Sequence, residues 1–357
     1  MNIDFHYGVI YVVARLAGMT SVDAEIVAHA CQYVDDATTD GVLVFQTGET
    51  FERFASAHSM HDYQNAKNGL NRLVWAPFHF LPAGEGQTLE ERAVCRPDSE
   101  IARETVRYAI RNAGSENALH RLGVTLHTYI DTWAHQGFSG IASDLNRVRD
   151  IESVDMNPAR WVERIRQFAG HLFTEAETDI ISNVFPLGHG AALHYPDLPW
   201  AEWSYLDSHG VRVYRNNLPE FLTAADMACR AVKGYLAGDE HFEQINGLPD
   251  EVKRALELLL LTNRNNDPDA RLSSLLDSVV SGSIPGLQER IPTYIPKGEG
   301  SWKHIGTGLL TDGDGDEKPV YTALFETSDY RHFHDAVKEH RFAVTQEILP
   351  QAGLRIA

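Results

Sequence analysis

The sequence predicts a mainly α fold with loop-rich insertions and a small irregular or β element near the C-terminus. Apolar residues recur with the helical period along most of the chain, Gly and Pro gather in a few connecting stretches, and strand-like runs are short. Residues 7–17 form an apolar run broken at Gly18. Thr20 or Ser21 then caps a helix in which Ala24, Ile26, Val27, Ala30, Cys31 and Val34 are spaced for burial, ending near Asp35 and Asp36. Residues 41–46 read as a short strand, and 49–58 and 62–74 as helices. Pro77, Pro82, Gly84 and Gly86 impose a loop, and helices follow at 99–113 and 117–137. Further helices are expected at 158–184, 218–236, 249–262, 267–280 and 328–349. The stretches 185–217 and 282–326 read as loop-rich, the second with strand-like residues from Val320 to Phe325. No internal repeat is evident. The expected organisation is one elaborated helical metal-binding domain over 1–357, with a core over 1–240 and a C-terminal extension over 241–357.

Composition narrows the function classes. The 357 residues are 43% hydrophobic, ample for a folded globule, and 50 acidic against 31 basic residues give a formal charge of −19. That balance repels polyanions and argues against a nucleic acid polymer as partner. Bound cations would offset part of it. Cys31, Cys95 and Cys229 are odd in number and far apart, which excludes a disulfide framework and a thiolate zinc cluster. No leader pattern opens the sequence and no run of 18 apolar residues occurs, so no transmembrane segment is expected and the chain reads as soluble and cytoplasmic.

The segment from His120 to Phe138 carries the most chemistry. At about 100° per residue, His120, His127, Asp131 and His135 fall within roughly 80° on one helix face, with His127, Asp131 and His135 expected as ligands and His120, one or two turns away, as a residue that supports them. Imidazole nitrogen and carboxylate oxygen hold zinc, iron or manganese, and i, i+4 spacing aims successive donors at one point. Leu, Val, Tyr, Ile, Trp and Phe fill much of the rest of the segment, and burying these groups unpaired would be costly. One helix presents too few ligands for a multinuclear site, so others must join. His6 is an isolated polar residue among apolar ones. Asp35 and Asp36 end a buried helix against its unfavourable dipole. His79 is embedded in Trp75-Ala-Pro-Phe-His-Phe-Leu-Pro82, and His189 lies between two glycines that permit close backbone approach. His58 and His61 are weaker candidates in polar surroundings. His194, Asp197 and Asp207 are alternatives to His189.

The pattern Leu126-His127-x-x-x-Asp131-x-x-Ala134-His135, together with His6, Asp35 or Asp36, and His79, resembles the zinc-dependent phospholipase C and single-strand nuclease superfamily. The phrases Gln32-Tyr-Val-Asp-Asp-Ala37, Pro77-Phe-His-Phe-Leu-Pro82 and Asp131-Thr-Trp-Ala-His-Gln-Gly-Phe138 resemble a microbial family that is a distant branch of it. The likeness is strongest over residues 1–140 and thinner over 185–205. It implies a multi-helix bundle holding two or three zinc ions, with Asp131 as the bridging, catalytic carboxylate. It further implies that His127, His79 and Asp35 or Asp36 hold one ion of the bridged pair and His6 the other. His135 and a downstream residue such as His189 would hold a third. The implied reaction is hydrolysis of a phosphoester in a small or lipid-like molecule by a metal-activated water, with Asp131 and Asp35 central. Asp131 and His135 are four residues apart, where the secreted relatives place such a pair six apart. Those relatives also use an amino group freed by signal cleavage; with that amine expected to be missing here, iron or manganese enters as an alternative to zinc.

A rival reading starts from His61-Asp62, His29 and Asp131, the outline of an HD-type fold that supports phosphohydrolases and di-iron oxygenases; the pair recurs at His334-Asp335. A metal-stabilised binding protein is a third reading. Asp312 to Glu317 fails the Gly and bidentate Glu requirements of a calcium loop. Leu258 to Leu261 is packing, and the helix bearing His332, His334 and His340 is structural. Phe78, Phe80, Trp133 and Phe138 either line an apolar pocket or pack the core.

Overall fold

A computed structural model describes residues 1–57, 72–153, 188–189, 192, 194–311 and 318–356. The first helix, α1, opens as a π-helical turn over Asp4–Val9 and continues as Ile10–Ala17. Thr20 accepts a hydrogen bond from the Asp23 amide and so caps α2, Ser21–Asp36. A hairpin follows, β1 Gly41–Val44 and β2 Thr50–Arg53, and then α3 Arg72–Phe78, the single turn α4 Leu89–Arg92, α5 Glu100–Arg111 and α6 Ala118–Ala134. Strands β3 Arg149–Ser153, β4 Glu202–Leu206 and β5 Arg212–Asn216 form an antiparallel sheet in that order. The remaining helices are α7 Asn217–Ala237, α8 Asp250–Thr262, α9 Pro268–Val280, α10 Trp302–Thr307 and α11 Asp329–Phe342; α11 runs on through a second π-helical turn, Ala343–Ile348.

Helix α6 is central, packed by α2, α5, α7 and α11. The same buried cluster takes side chains from both ends of the chain, among them Phe5, Leu126, Phe221, Leu256 and Leu354. The crossing of α2 and α6 is tight because Gly123 has no side chain. A Cβ there would lie 2.5 Å from the Val27 carbonyl oxygen and 2.6 Å from Ala30 Cβ. Gly123→Ala gains about 1 kcal/mol of helix propensity, but backbone crowding costs more, and a net loss of about 1–2 kcal/mol is expected in chemical denaturation. A more stable variant would contradict this account of the crossing.

The expectation of a mainly α bundle with its β element near the C-terminus is overturned. Helices are joined by two antiparallel sheets, both earlier in the chain, so the fold mixes α and β. Residues 318–324 hold no strand, and a short 3-10 turn follows at Phe325–Thr327. The segment 49–58, expected as a helix, contains β2; Phe51 is held by an edge contact with Phe325, and Glu52 stays exposed. The stretch 185–217, expected as loop, contains β4 and β5. Trp203 and Tyr205 bury their rings in a second apolar cluster with Phe80, Phe138 and Tyr195, and a turn at Asp207–Gly210 joins the strands. The expected helices at 62–74, in all but residues 72–74, and at 158–184 lie outside the described residues, as do His58, His61, Asp62 and the acidic turn 312–317. Among the described residues no helix is long and apolar enough to cross a membrane.

His340 ties α11 to the site's scaffold. Its Nε2 donates to the Pro77 carbonyl at 3.0 Å, its ring stacks on Phe78, and burial pushes its pKa down to about 4. The folded chain therefore holds His340 neutral while the unfolded chain takes up a proton as pH falls below about 6.5. Stability from this residue is full above that value and declines as pH drops towards 4, by up to about 3 kcal/mol. Denaturation of metal-free protein at pH 7 and pH 5 should show a shallower decline for His340→Phe; equal declines would refute the assignment.

Candidate metal centre

Helix α6 projects His127, Asp131 and His135 from successive turns into one buried space. Arg215 of β5 fixes the end of that helix, donating to the carbonyls of Trp133 at 3.0 Å and Ala134 at 3.2 Å, and Glu220 holds the guanidinium in turn. His6 comes from the π-helical turn of α1, Asp35 from the last turn of α2, and His79 from the residue after α3. Asp197 and His189 come from the segment before β4.

Three groups of donors have ligand atoms within 4.8 Å of one another: His6, His127 and Asp131; Asp35, His79 and His127; and His135, His189 and Asp197. Asp131 joins them. Its Oδ1 lies 2.8 Å from the Met1 amino nitrogen and 3.1 Å from His6 Nε2. Its Oδ2 faces His127 Nε2 at 3.3 Å, His135 Nδ1 at 3.5 Å and His79 Nδ1 at 3.6 Å. That oxygen is buried and accepts no hydrogen bond. The Met1 amine also reaches Asp197 at 3.2 Å.

Backbone carbonyls set the tautomers. His127 Nδ1 donates to Cys31 O at 2.8 Å, His79 Nε2 to Ser56 O at 2.9 Å, and His135 Nδ1 to His79 O at 2.6 Å. With one nitrogen so engaged, the other nitrogen of each ring can present a lone pair to the cluster, the arrangement in which histidine binds metal. His127 Nε2 and His79 Nδ1 consequently face each other at 3.1 Å, and His135 Nε2 faces an Asp197 oxygen at 3.4 Å. Lone pairs opposed at these distances repel unless a proton or cation lies between them. The donor set, imidazole and carboxylate without thiolate, fits zinc, iron or manganese.

Electrostatics keep Asp131 and Asp35 ionised and His127 and His189 unprotonated, and favour the charged forms of His6 and the Met1 amine. Burial opposes ionisation of Asp131, but His135, the Met1 amine, His127 and His6 outweigh it and hold the carboxyl well below its usual range. Burial likewise opposes ionisation of Asp35, yet His127, His6 and His79 lower it to about 2. His127 is pushed down to about 4 by burial and by His6, and His189 to about 4 by burial. For His6, burial and the Met1 amine disfavour charge, and Asp131 and Asp35 override them to raise its pKa. The Met1 amine loses by burial and gains more from Asp131, Asp197 and Asp35, ending at about 11.

The structure thus brings together His6, Asp35, His79, His127, Asp131, His135, His189 and Asp197. Asp36 is not among them: its Oδ2 accepts hydrogen bonds from Tyr294 Oη at 2.6 Å and Gln32 Nε2 at 3.1 Å, because successive helix residues point about 100° apart. His120 lies two turns before His127 and pairs instead with Asp329 at 3.0 Å. His29 pairs with Glu25, and His334 meets the backbone of Phe54, so neither supplies the HD-type outline. His194 is exposed, and Asp207 closes the turn before β5. Asp197, an alternative in the sequence, is a full member. The Met1 amine donates to Asp131 and Asp197 beside these donors, a contact the sequence does not foretell because a backbone nitrogen leaves no trace in residue type.

Helices and small sheets surround a buried histidine and aspartate cluster whose donors could hold a cation at three adjoining positions. The chain belongs to a family of unknown function, DUF6765, which matches residues 1–348 and so spans every residue of the cluster. No curated protein and no solved structure matches it.

Proposed function

We propose that this chain is a metal-dependent hydrolase that cleaves a phosphoester in a small or lipid-like molecule, holding two or three zinc ions, or iron or manganese, in the cluster around Asp131. The observation that carries the metal reading is the Asp131 Oδ2 atom, buried without a hydrogen bond and facing three ring nitrogens. An unpaired buried carboxylate oxygen beside opposed imidazole lone pairs is costly, and a shared cation removes both costs. Ions bound there would lower the pKa of a bound water and offset charge on the phosphoester oxygens. The protein's own part is to keep Asp131, Asp35 and Asp197 ionised, His127 and His189 unprotonated, and the rings of His79, His127 and His135 oriented by carbonyls.

Access favours the Asp35 side. The Asp35 side chain is 33% exposed whereas that of Asp131 is 1% exposed, so a substrate oxygen meets the cluster from the end of α2. Of the four aromatics proposed as pocket lining, Phe80 stacks on His135 at 4.6 Å and Phe138 meets His189 edge-on at 6.1 Å; Phe78 and Trp133 are core. The acidic balance of the chain favours a compact substrate over a nucleic acid polymer. Elemental analysis of purified protein, followed by a panel of phosphomonoesters, phosphodiesters and phospholipid headgroup substrates, tests the reading. Absence of a stoichiometric transition metal would sink it. Two irons with an oxygen-dependent activity would replace it by the oxygenase alternative, and metal without turnover by a metal-stabilised binding protein.

A further inference from the structure

Packed on the π-helical turn of α1, α9 carries Arg271, whose side chain is 1% exposed. Its guanidinium donates to Asp4 through Nε at 2.8 Å and Nη2 at 3.0 Å, and to the Asn265 carbonyl through Nη1 at 2.8 Å. The same group lies 5.3 Å from the centre of the Trp200 ring. Asp4 sits between Met1 and His6 on the π-helical turn, and Trp200 follows Asp197 by three residues. One cation therefore touches both segments that deliver the Met1, His6 and Asp197 donors. These segments also meet directly, where Asn2 Nδ2 donates to the Asp197 carbonyl at 3.2 Å. Gly8 lets α9 approach this turn: a Cβ there would lie 3.1 Å from both Leu272 and Leu275.

We infer that Arg271 is a positioning residue of the metal centre, through which the C-terminal extension sets the donors on the Met1 and Asp197 side. The inference rests on the metal reading above. A buried ion pair is a poor device for stability alone, since apolar residues of similar volume commonly serve a fold as well or better. What a two-pronged guanidinium and carboxylate pair adds is direction: both oxygens of Asp4 are fixed in one plane and register. The donors Asp35, His79 and His127, on α2, just after α3 and on α6, receive no direct contact from Arg271, which reaches two of them only through His6.

The test is cobalt(II) and zinc(II) uptake by metal-free full-length protein, read by visible absorption and by metal stoichiometry, in wild type, Arg271→Lys and the double variant Asp4→Leu/Arg271→Met. The double variant should melt at or above the wild-type temperature when metal-free, yet bind the ion of the His135, His189 and Asp197 group at least about tenfold more weakly, the effect typical of losing a group that orients ligands. The position at Asp35, His79 and His127 should keep its affinity and its cobalt spectrum. Arg271→Lys keeps charge without the fork and should not restore the weakened position. Unchanged stoichiometry and spectra in the double variant would overturn the inference, as would its failure to fold, because the pair would then serve the fold and not the site. A wild-type chain that takes up neither ion would instead refute the metal reading itself.

Discussion

Asp131→Asn is expected to strip the centre of metal and to lower hydrolysis at least about a thousandfold, equivalent to about 4 kcal/mol of barrier. The change is nearly isosteric, so its effect is electrostatic. Among the described residues Asp131 is the one carboxylate within reach of the Met1 amine, His6, His79, His127 and His135 together. An amide has no net charge to hold two cations, and its NH2 group would face ring nitrogens or the Met1 amine. In the metal-free state the substitution leaves the Met1 ammonium and His6 short of their main counter-charge, a loss of about 3–5 kcal/mol for a buried pair broken on one side. Circular dichroism separates loss of fold from loss of metal, and elemental analysis reads the metal. A folded variant that keeps both metal and activity would show that Asp131 does not bridge.

The parts of this site that were legible in the sequence are those where side-chain type and helical spacing act together. His127, Asp131 and His135 share a face of α6 because four residues make nearly one turn, and the apolar residues around them point to burial. His79 and His189 were legible from their neighbours, one among aromatics and prolines, the other between glycines. Spacing alone could not choose between Asp35 and Asp36, since both end the same helix and the deciding partner, Tyr294, is far along the chain. It also overextended the α6 stripe to His120, whose partner Asp329 is equally remote. The fold was legible where elements are long. Helices α5 to α9, three turns or more, fall close to their expected places, whereas β2, β4 and β5 are four or five residues each and carry too little alternation to oppose a helix or loop reading. Arg271 had no local signal, because its meaning depends on a contact with Asp4 at the opposite end of the chain.

Removal of metal should produce the second large effect, a marked fall in thermal stability. A ligand present at about 1,000 times its dissociation constant stabilises the folded state by about 4 kcal/mol, so each ion withdrawn by a chelator should lower the melting temperature by on the order of 10 °C. The metal-free cluster must then relieve its opposed lone pairs and carboxylates with protons, and the geometry indicates where they sit. His6 has both ring nitrogens on carboxylates, at 3.0 Å from Asp35 and 3.1 Å from Asp131, the geometry of a ring protonated on both nitrogens, and those carboxylates raise its pKa. His127 and His189, lowered to about 4, hold no extra proton there. Metal binding at pH 7 should therefore release protons from His6 and the Met1 amine and none from His127 or His189. Calorimetric titration in two buffers of different ionisation enthalpy counts them, and His6→Gln should release one fewer. The sign follows from the raised pKa: as pH falls, His6 becomes more firmly protonated and competes harder, so metal affinity and the stability it confers both decline on the acid side. Binding without proton release, or a melting temperature indifferent to chelator, would mean that cations do not occupy the space between these rings.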